Sequence, residues 1–357
     1  PLAAEETSGT AEPTDRSIET IVVTAQKREQ SLQDVPLVVT TISEQLLQDA
    51  GIKDIKDLTL LTPGLIVTST TSETVTTARI RGIGTVGDNP GLESSVGVVI
   101  DGVYRPRNGV SFGDLGELER IEVLKGPQGT LFGKNTSAGV INVVSKRPSF
   151  DFGSQVELTA GDYGDIGGSA SITGPIAGDV VAGRLYVAAR ERDGYLDVET
   201  GPGPRTEDED FNRSFQTVRG QLLFQPSDAV DVRLVGDYTD RDEDCCVAAQ
   251  IALSPNPLVL GVLNAIQPGS FANPVDPFER RVFANRSTEQ QIEDMGASME
   301  VNWDLSADAT LTSITAWRNW ESVNGQDSDF TTADILYRSP DGSFANEKAL
   351  TDYSVGQ

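Results

Sequence analysis

After Pro148 the chain settles into a period of two, and the links between its alternating segments are unequal in a regular way. Val156, Leu158 and Ala160 alternate with Gln155, Glu157 and Thr159, and Leu185, Val187 and Ala189 alternate with Arg184, Tyr186, Ala188 and Arg190. Val218, Leu222 and Phe224 share a face broken by Gly220, Val230, Val232 and Leu234 share another, and Val301, Trp303 and Leu305 continue it. Such alternation reads as β-strand. The links at 174–179, 225–228 and 305–308 are tight turns, whereas those at about 194–213, 241–287 and 323–347 are long, polar and irregular. Short turns alternating with long loops mark a transmembrane antiparallel barrel, whose periplasmic turns are short and whose external loops are long. A soluble sandwich fits loops of such unequal length less well. About eight strands are expected, the last starting near Ala349. An open edge in lipid would leave backbone groups unpaired, so the eight are expected to be part of a larger barrel.

The preceding residues have a different grammar. Val35 to Ile42 reads as a strand, Ser43 as the N-cap of a helix carrying Leu46, Leu47 and Ala50 and ending at Gly51, and Ile55, Leu58 and Leu61 repeat the helical spacing before Pro63-Gly64. Strands are expected at 77–83, 95–100, 118–124 and 139–145. This is a mixed α+β unit over 35–148, followed by barrel over 149–357. Residues 1–17 are small, polar and Pro-containing, which predicts a disordered tail, and 26–34 is a polar linker. Between them Ile18, Glu19, Thr20, Ile21, Val22, Val23, Thr24 and Ala25 form an isolated β-branched island. It could add to a sheet edge of this chain, or to that of a partner.

Composition narrows the chemistry. Residues 1–153 hold 20 acidic and 14 basic side chains, and the remainder supplies most of the net charge of -26. That balance disfavours nucleic acid, whose phosphates need a Lys/Arg surface. There is no His, which lowers the prospect of hydrolase or metalloenzyme chemistry, and no cofactor or catalytic residue is expected. No run approaches the roughly 18 apolar residues of a spanning helix. Pro1 is followed by no charged or apolar leader, so a secretory signal is expected to have been removed. Cys245 and Cys246 are adjacent, and because a vicinal bridge is strained, free loop thiols or partners elsewhere are the favoured reading. Acidic clusters at Glu207-Asp208-Glu209-Asp210 and Asp240 to Asp244 are read as solvated loop surface, with cation binding as the alternative. Gly82-Ile83-Gly84-Thr85-Val86-Gly87 satisfies G-x-G-x-x-G, but Asp88-Asn89-Pro90-Gly91 is turn chemistry and does not open a phosphate-binding helix.

The run Leu118-Glu119-Arg120-Ile121-Glu122-Val123-Leu124-Lys125-Gly126-Pro127-Gln128-Gly129-Thr130-Leu131-Phe132-Gly133, continuing through Asn135-Thr136-Ser137-Ala138-Gly139-Val140-Ile141-Asn142 to Pro148, closely resembles the end of the plug domain of TonB-dependent outer-membrane receptors. Val35-Pro36, Ile80-Arg81-Gly82 and Val99-Ile100-Asp101-Gly102-Val103 resemble earlier plug landmarks, and Ile18 to Ala25 resembles the TonB box. Gly126, Pro127, Gly129, Gly133 and Gly139 are the residues expected to shape tight turns and close approaches where a plug nests in a barrel. The resemblance implies a plug inside a barrel of about 22 strands when complete. It implies active import of a scarce ligand across the outer membrane of a Gram-negative bacterium, with the tail in the periplasm. The ligand would be a ferric siderophore by default, with cobalamin, an oligosaccharide or an aromatic compound as alternatives. Implied partners are the C-terminal domain of TonB, energised by the inner-membrane motor, outer-membrane lipid and lipopolysaccharide, and a surface or periplasmic accessory protein. The segments 85–91 and 104–112 would be plug apices, offering Asp88, Asn89, Arg105, Arg107 and Asn108 to the ligand. Arg105 and Arg107 could instead pair with wall carboxylates. The rival classes are a passive porin and a surface-binding protein.

Overall fold

The computed structural model describes residues 22–24, 27, 30–52, 54–69, 76–85, 93–106, 109, 115–201, 204–249, 251–252, 275–325, 327, 331–332 and 353–356. The N-terminal unit is built on a five-stranded sheet. Its strands are β3 (Val38–Ser43), β6 (Val96–Ile100), β7 (Val103–Arg105), β8 (Leu118–Lys125) and β9 (Gly139–Ser145), in the order β3-β8-β9-β6-β7. Only β6 and β9 pair in parallel. A two-stranded ribbon, β4 (Leu65–Thr68) with β5 (Thr77–Ile80), packs beside it, and β1 (Val22–Val23) pairs with β2 (Gln30–Ser31). Helix α1 (Glu44–Asp49) begins where expected, the Ser43 hydroxyl accepting the Leu46 amide. The core is apolar and aliphatic: Ile42, Leu47, Ile55, Leu58, Leu65, Ile80, Ile121 and Ile141 are buried together.

Several boundaries differ from the sequence expectation. The strand expected at 35–42 runs from Val38 to Ser43, because Leu32–Asp34 forms a 3-10 turn and Pro36 has no amide to give a ladder. The strand expected to reach 83 stops at Ile80, where Arg81 and Gly82 take positive φ and Ile80 bridges back to Ile83. The second helical stretch divides into a 3-10 turn at Ile55–Asp57, whose Asp54 cap accepts the Lys56 amide, and the single turn α2 (Leu58–Leu61).

The second unit is an antiparallel wall of eight strands: β10 (Gly153–Ala160), β11 (Ile166–Ala177), β12 (Val181–Arg192), β15 (Arg213–Ser227), β16 (Val230–Asp244), β18 (Glu289–Ser306), β19 (Ala309–Asn324) and β20 (Tyr353–Gly356). Each pairs with the next in that order, and among the described residues the sheet is open. One face of the wall is apolar and bare: Leu158, Ile166, Leu185, Leu222, Leu234, Met299, Trp303 and Trp317 are exposed. The alternate residues face the N-terminal unit, and Ala182, Tyr186, Leu223, Arg233 and Ile292 are buried there. A sheet greasy outside and polar inside is the arrangement of a barrel in lipid. No helix among the described residues is long and apolar enough to cross a membrane, which is silent on crossing by strands.

The links expected to be irregular carry structure of their own. Between β12 and β15 lie β13 (Leu196–Glu199) and β14 (Glu209–Asp210), and before β18 lies β17 (Arg281–Phe283); together they make a three-stranded sheet with a parallel β13-β17 pair. Val198, Val247, Val282 and Ala284 give it a small core.

Candidate functional site: the tail anchor and the seam between plug and wall

The β-branched island can be followed from Val22 to Thr24; Ile18, Glu19, Thr20, Ile21 and Ala25 lie outside the described residues. Its described part is anchored within the chain. Val23 is fully buried among Val35, Val99, Leu124 and Val140. The Thr24 amide donates to Oε1 of Glu122 at 2.8 Å, and its hydroxyl approaches the same oxygen at 3.1 Å. Glu122 has no exposed surface. Its carboxylate also accepts Nε of Arg120 at 2.8 Å and Nδ2 of Asn142 at 3.1 Å. A buried carboxylate needs such donors, because burial without them is costly. Both β8 and β9 are central strands of the sheet, so the tail is held by the most rigid part of the unit. Nothing in the sequence marked Glu122 as the receiving group; the alternation within Leu118–Lys125 could only have placed it on a sheet face.

A second set of contacts joins the N-terminal unit to the wall. β6 and β7 are joined by the two-residue turn Asp101-Gly102, both with positive φ, the geometry that favours Asp-Gly. Asp101 accepts the Ser145 amide at 2.9 Å and the Ser145 hydroxyl at 2.7 Å, and pairs with Arg233 of β16 at 3.3 Å. Burial would raise the Asp101 acid, but Arg233, Arg219 and the two Ser145 hydrogen bonds outweigh it and hold the carboxyl below its ordinary value. Gly102 meets the wall directly: a Cβ there would strike Ile314 of β19. Along the same seam Arg184 pairs with Glu117 at 2.6 Å, Arg147 pairs with Asp231 at 2.6 Å, and Arg219 donates to the Leu115 carbonyl at 3.1 Å.

Of the expected ligand contacts, Asp88, Asn89, Arg107 and Asn108 lie outside the described residues. Arg105 is only 6% exposed, at the end of β7, with Nη1 3.8 Å from Asp294 of β18. Arg105 is thus within ion-pair distance of a wall carboxylate, while its Nε and Nη1 have no hydrogen-bond partner among the described residues. The glycine-rich motif serves mainly the plug's own backbone. Gly126 and Gly133 have positive φ with open space around them, and Gly129 opens the short helix α3 (Gly129–Phe132). Only Gly139 needs a close approach. Its φ is +153°, and a Cβ would strike the Leu124 carbonyl of the neighbouring strand, not the barrel. Pro127 lies in the link between β8 and α3.

Two loop expectations change. Cys245 and Cys246 form a disulfide with each other, the bridge that was not favoured; Cys246 takes a left-handed backbone, φ +87°, that the adjacent pairing accommodates. Asp210, read as solvated, is fully buried, paired with Arg205 at 3.2 Å and accepting the Thr288 hydroxyl at 2.5 Å. Burial raises its acid despite those donors. Among the described residues no cluster of carboxylates is arranged to hold a metal ion. The turn after β5 closes on the Ile80–Ile83 bridge, with no helix for a nucleotide phosphate in the described part of 81–85.

A mixed sheet seated against the polar face of an antiparallel wall whose other face is apolar is the arrangement of a plug domain against part of a transmembrane β-barrel. Residues 31–140 match the TonB-dependent receptor plug domain, and the relatives and solved structures that the chain resembles are receptors and transporters of that kind. It is 33% identical over 190 residues to the vitamin B12 transporter of Vibrio vulnificus, a match covering 51% of this chain and 30% of that protein. It is 23% identical over 231 residues to the ferripyoverdine receptor of Pseudomonas aeruginosa, covering 62% of this chain and 25% of that one. The chain thus spans about a third or less of these relatives. Among solved structures, the ferric yersiniabactin uptake receptor of Yersinia pestis superposes with a TM-score of 0.66 at 17% identity, over 82% of this chain and 42% of that one, a likeness of fold.

Proposed function

We propose that the protein imports a scarce ligand across the bacterial outer membrane by the TonB-dependent route, and that residues 18–25 are the segment TonB grips. The observation that carries this reading is the anchoring of Val22 to Thr24 on the plug sheet through Val23 and Glu122. An edge strand held by a few bonds can exchange for pairing with another protein's sheet edge. Ligand binding would shift the population toward the released tail only if the ligand binds that state more tightly. On this reading 1–17 is a periplasmic tail, 26–34 a linker, 35–148 the plug and 149–357 the barrel segment. The C-terminal domain of TonB supplies the pull, and the protein is a transporter and not an enzyme.

A ferric siderophore is the cargo we favour, supported by relatives named as ferripyoverdine and ferric-pyoverdine receptors. Cobalamin is the second reading, supported by the 33% identity to a vitamin B12 transporter. Uptake of radiolabelled ferric siderophores and of cobalamin, in cells expressing the receptor with and without residues 18–25, tests both. Box-dependent uptake of an iron complex supports the first, and uptake of cobalamin alone moves the assignment to the second. Surface binding of either ligand without box-dependent import would overturn the transport reading.

A further inference from the structure

The chain is strongly acidic, yet one stretch of the wall's inner face is rich in arginine. Arg190 of β12, Arg213 and Phe215 of β15 and Arg241 of β16 line one cleft, which Asp54 of the plug closes from the other side. The strand register explains the grouping: Arg190 lies opposite Phe215, and Phe215 lies opposite Arg241. All four residues have the parity of Arg184, Arg219 and Arg233, which touch the plug.

These arginines are not equivalent. Arg190 is engaged by Asp165 through two of its three donor nitrogens, Nε at 2.8 Å and Nη2. Arg241 pairs with Glu243 at 2.8 Å. Glu157 also lines the cleft, and the Asp54 carboxylate caps its own 3-10 turn. Among the described residues Arg213 has no ion pair or side-chain hydrogen bond. It is half-buried, and it stands directly across the ladder from Arg192, another cation. Arg192 has its own partners, the carbonyls of Phe211 and Asp193 and the ring of Tyr195. Two like charges directly opposite on a sheet destabilise it, and a half-buried guanidinium without an acceptor adds to that cost. Asp54 and Glu157 line the same cleft and Asp165 lies near enough to feel the Arg213 charge, but none of the three forms an ion pair with it.

We infer that Arg213 is an anion subsite for the cargo: its guanidinium fork takes a carboxylate or other oxyanion of the ligand, with the Phe215 ring beside it as an apolar contact. The fork matches a planar carboxylate with two parallel hydrogen bonds, which a lysine cannot reproduce. The inference rests on the import reading and narrows its substrate to ligands bearing a free anionic group.

The test uses the intact receptor in detergent, with citrate as the polyanion probe and maltose as a neutral control, by titration calorimetry. Saturable citrate binding is expected, weakened about tenfold by Arg213→Gln, as expected for loss of hydrogen bonds to a charged group, and abolished by Arg213→Glu. Arg213→Lys should recover only part of the affinity, and Arg192→Gln, which relieves the like-charge pair, should retain citrate binding. Equal melting temperatures for the variants separate these effects from misfolding. Absence of saturable citrate binding to the unmodified receptor, or affinity within twofold in Arg213→Glu, overturns the subsite. Deleting residues 18–25 should leave citrate affinity unchanged while stopping uptake, so failure of the subsite and failure of the import reading are separately visible.

Discussion

Thr24 and Glu122, 98 residues apart in sequence, are joined by a hydrogen bond of 2.8 Å from the Thr24 amide to the Glu122 carboxylate. The bond ties the end of the β-branched island to the second strand of the plug sheet. Glu122→Gln keeps the shape and gives up the charge, so one charge-assisted bond to the tail weakens. A nitroxide at Val22→Cys, close to the anchor and 42% exposed in the parent, should report a mobile tail in Glu122→Gln without ligand. Glu122→Ala should also lower stability by about 1–3 kcal/mol, because the buried amide of Asn142 and the guanidinium of Arg120 lose an acceptor. A spectrum unchanged between parent and Glu122→Gln would mean that burial of Val23 alone holds the tail.

Acid should loosen the seam before alkali does. The Asp101 carboxyl is held below its ordinary value of 3.8 by Arg233, Arg219 and Ser145 in spite of burial. A depressed folded value contributes stability that is present above about pH 4 and lost as the pH falls through that lower value. Urea midpoints should therefore fall below pH 4 in the parent, and Asp101→Asn should have a lower midpoint at pH 7 and a flatter acid limb. An acid limb identical in the two proteins would assign the loss to other carboxylates.

Gly139→Ala places a methyl group against the Leu124 carbonyl at a backbone conformation that L-residues rarely adopt. The cost should exceed about 1 kcal/mol, since strain of both kinds acts at once. Gly129→Ala, with open space around it, should be nearly neutral. The thermal midpoints of the two variants, compared side by side, check the distinction.

Neighbouring residues on β16 should respond in opposite ways to the same chemistry. Leu234 is 44% exposed on the apolar face, while Arg233 is 3% exposed against the plug. Leu234→Arg brings a cation into lipid at a cost of about 2–4 kcal/mol if it lies near the bilayer midplane. The folded, heat-modifiable form in outer-membrane fractions should fall in Leu234→Arg. Arg233→Leu should insert but weaken the plug, measured as faster proteolysis around Asp101.

Local chemistry determined a large part of this protein from sequence alone. The period of two after Pro148, the three tight turns and the long links were sufficient for an antiparallel wall of about eight strands, because each side chain on a strand can face only lipid or lumen. Ser43 was legible as an N-cap because its hydroxyl acts on an amide three residues away. What depended on distant residues was not legible. The role of Glu122 depends on β8 lying beneath a tail residue 98 positions away, and the burial of Arg105 depends on Asp294 arriving from β18. The three-stranded sheet in the long links has strands of two to four residues, too short to carry a period. Arg213 was one cation among many until the register placed it opposite Arg192 and beside Phe215. Tertiary pairing decided these points, because the energy of a buried charge depends on its neighbours in space, which the order of residues along the chain does not contain.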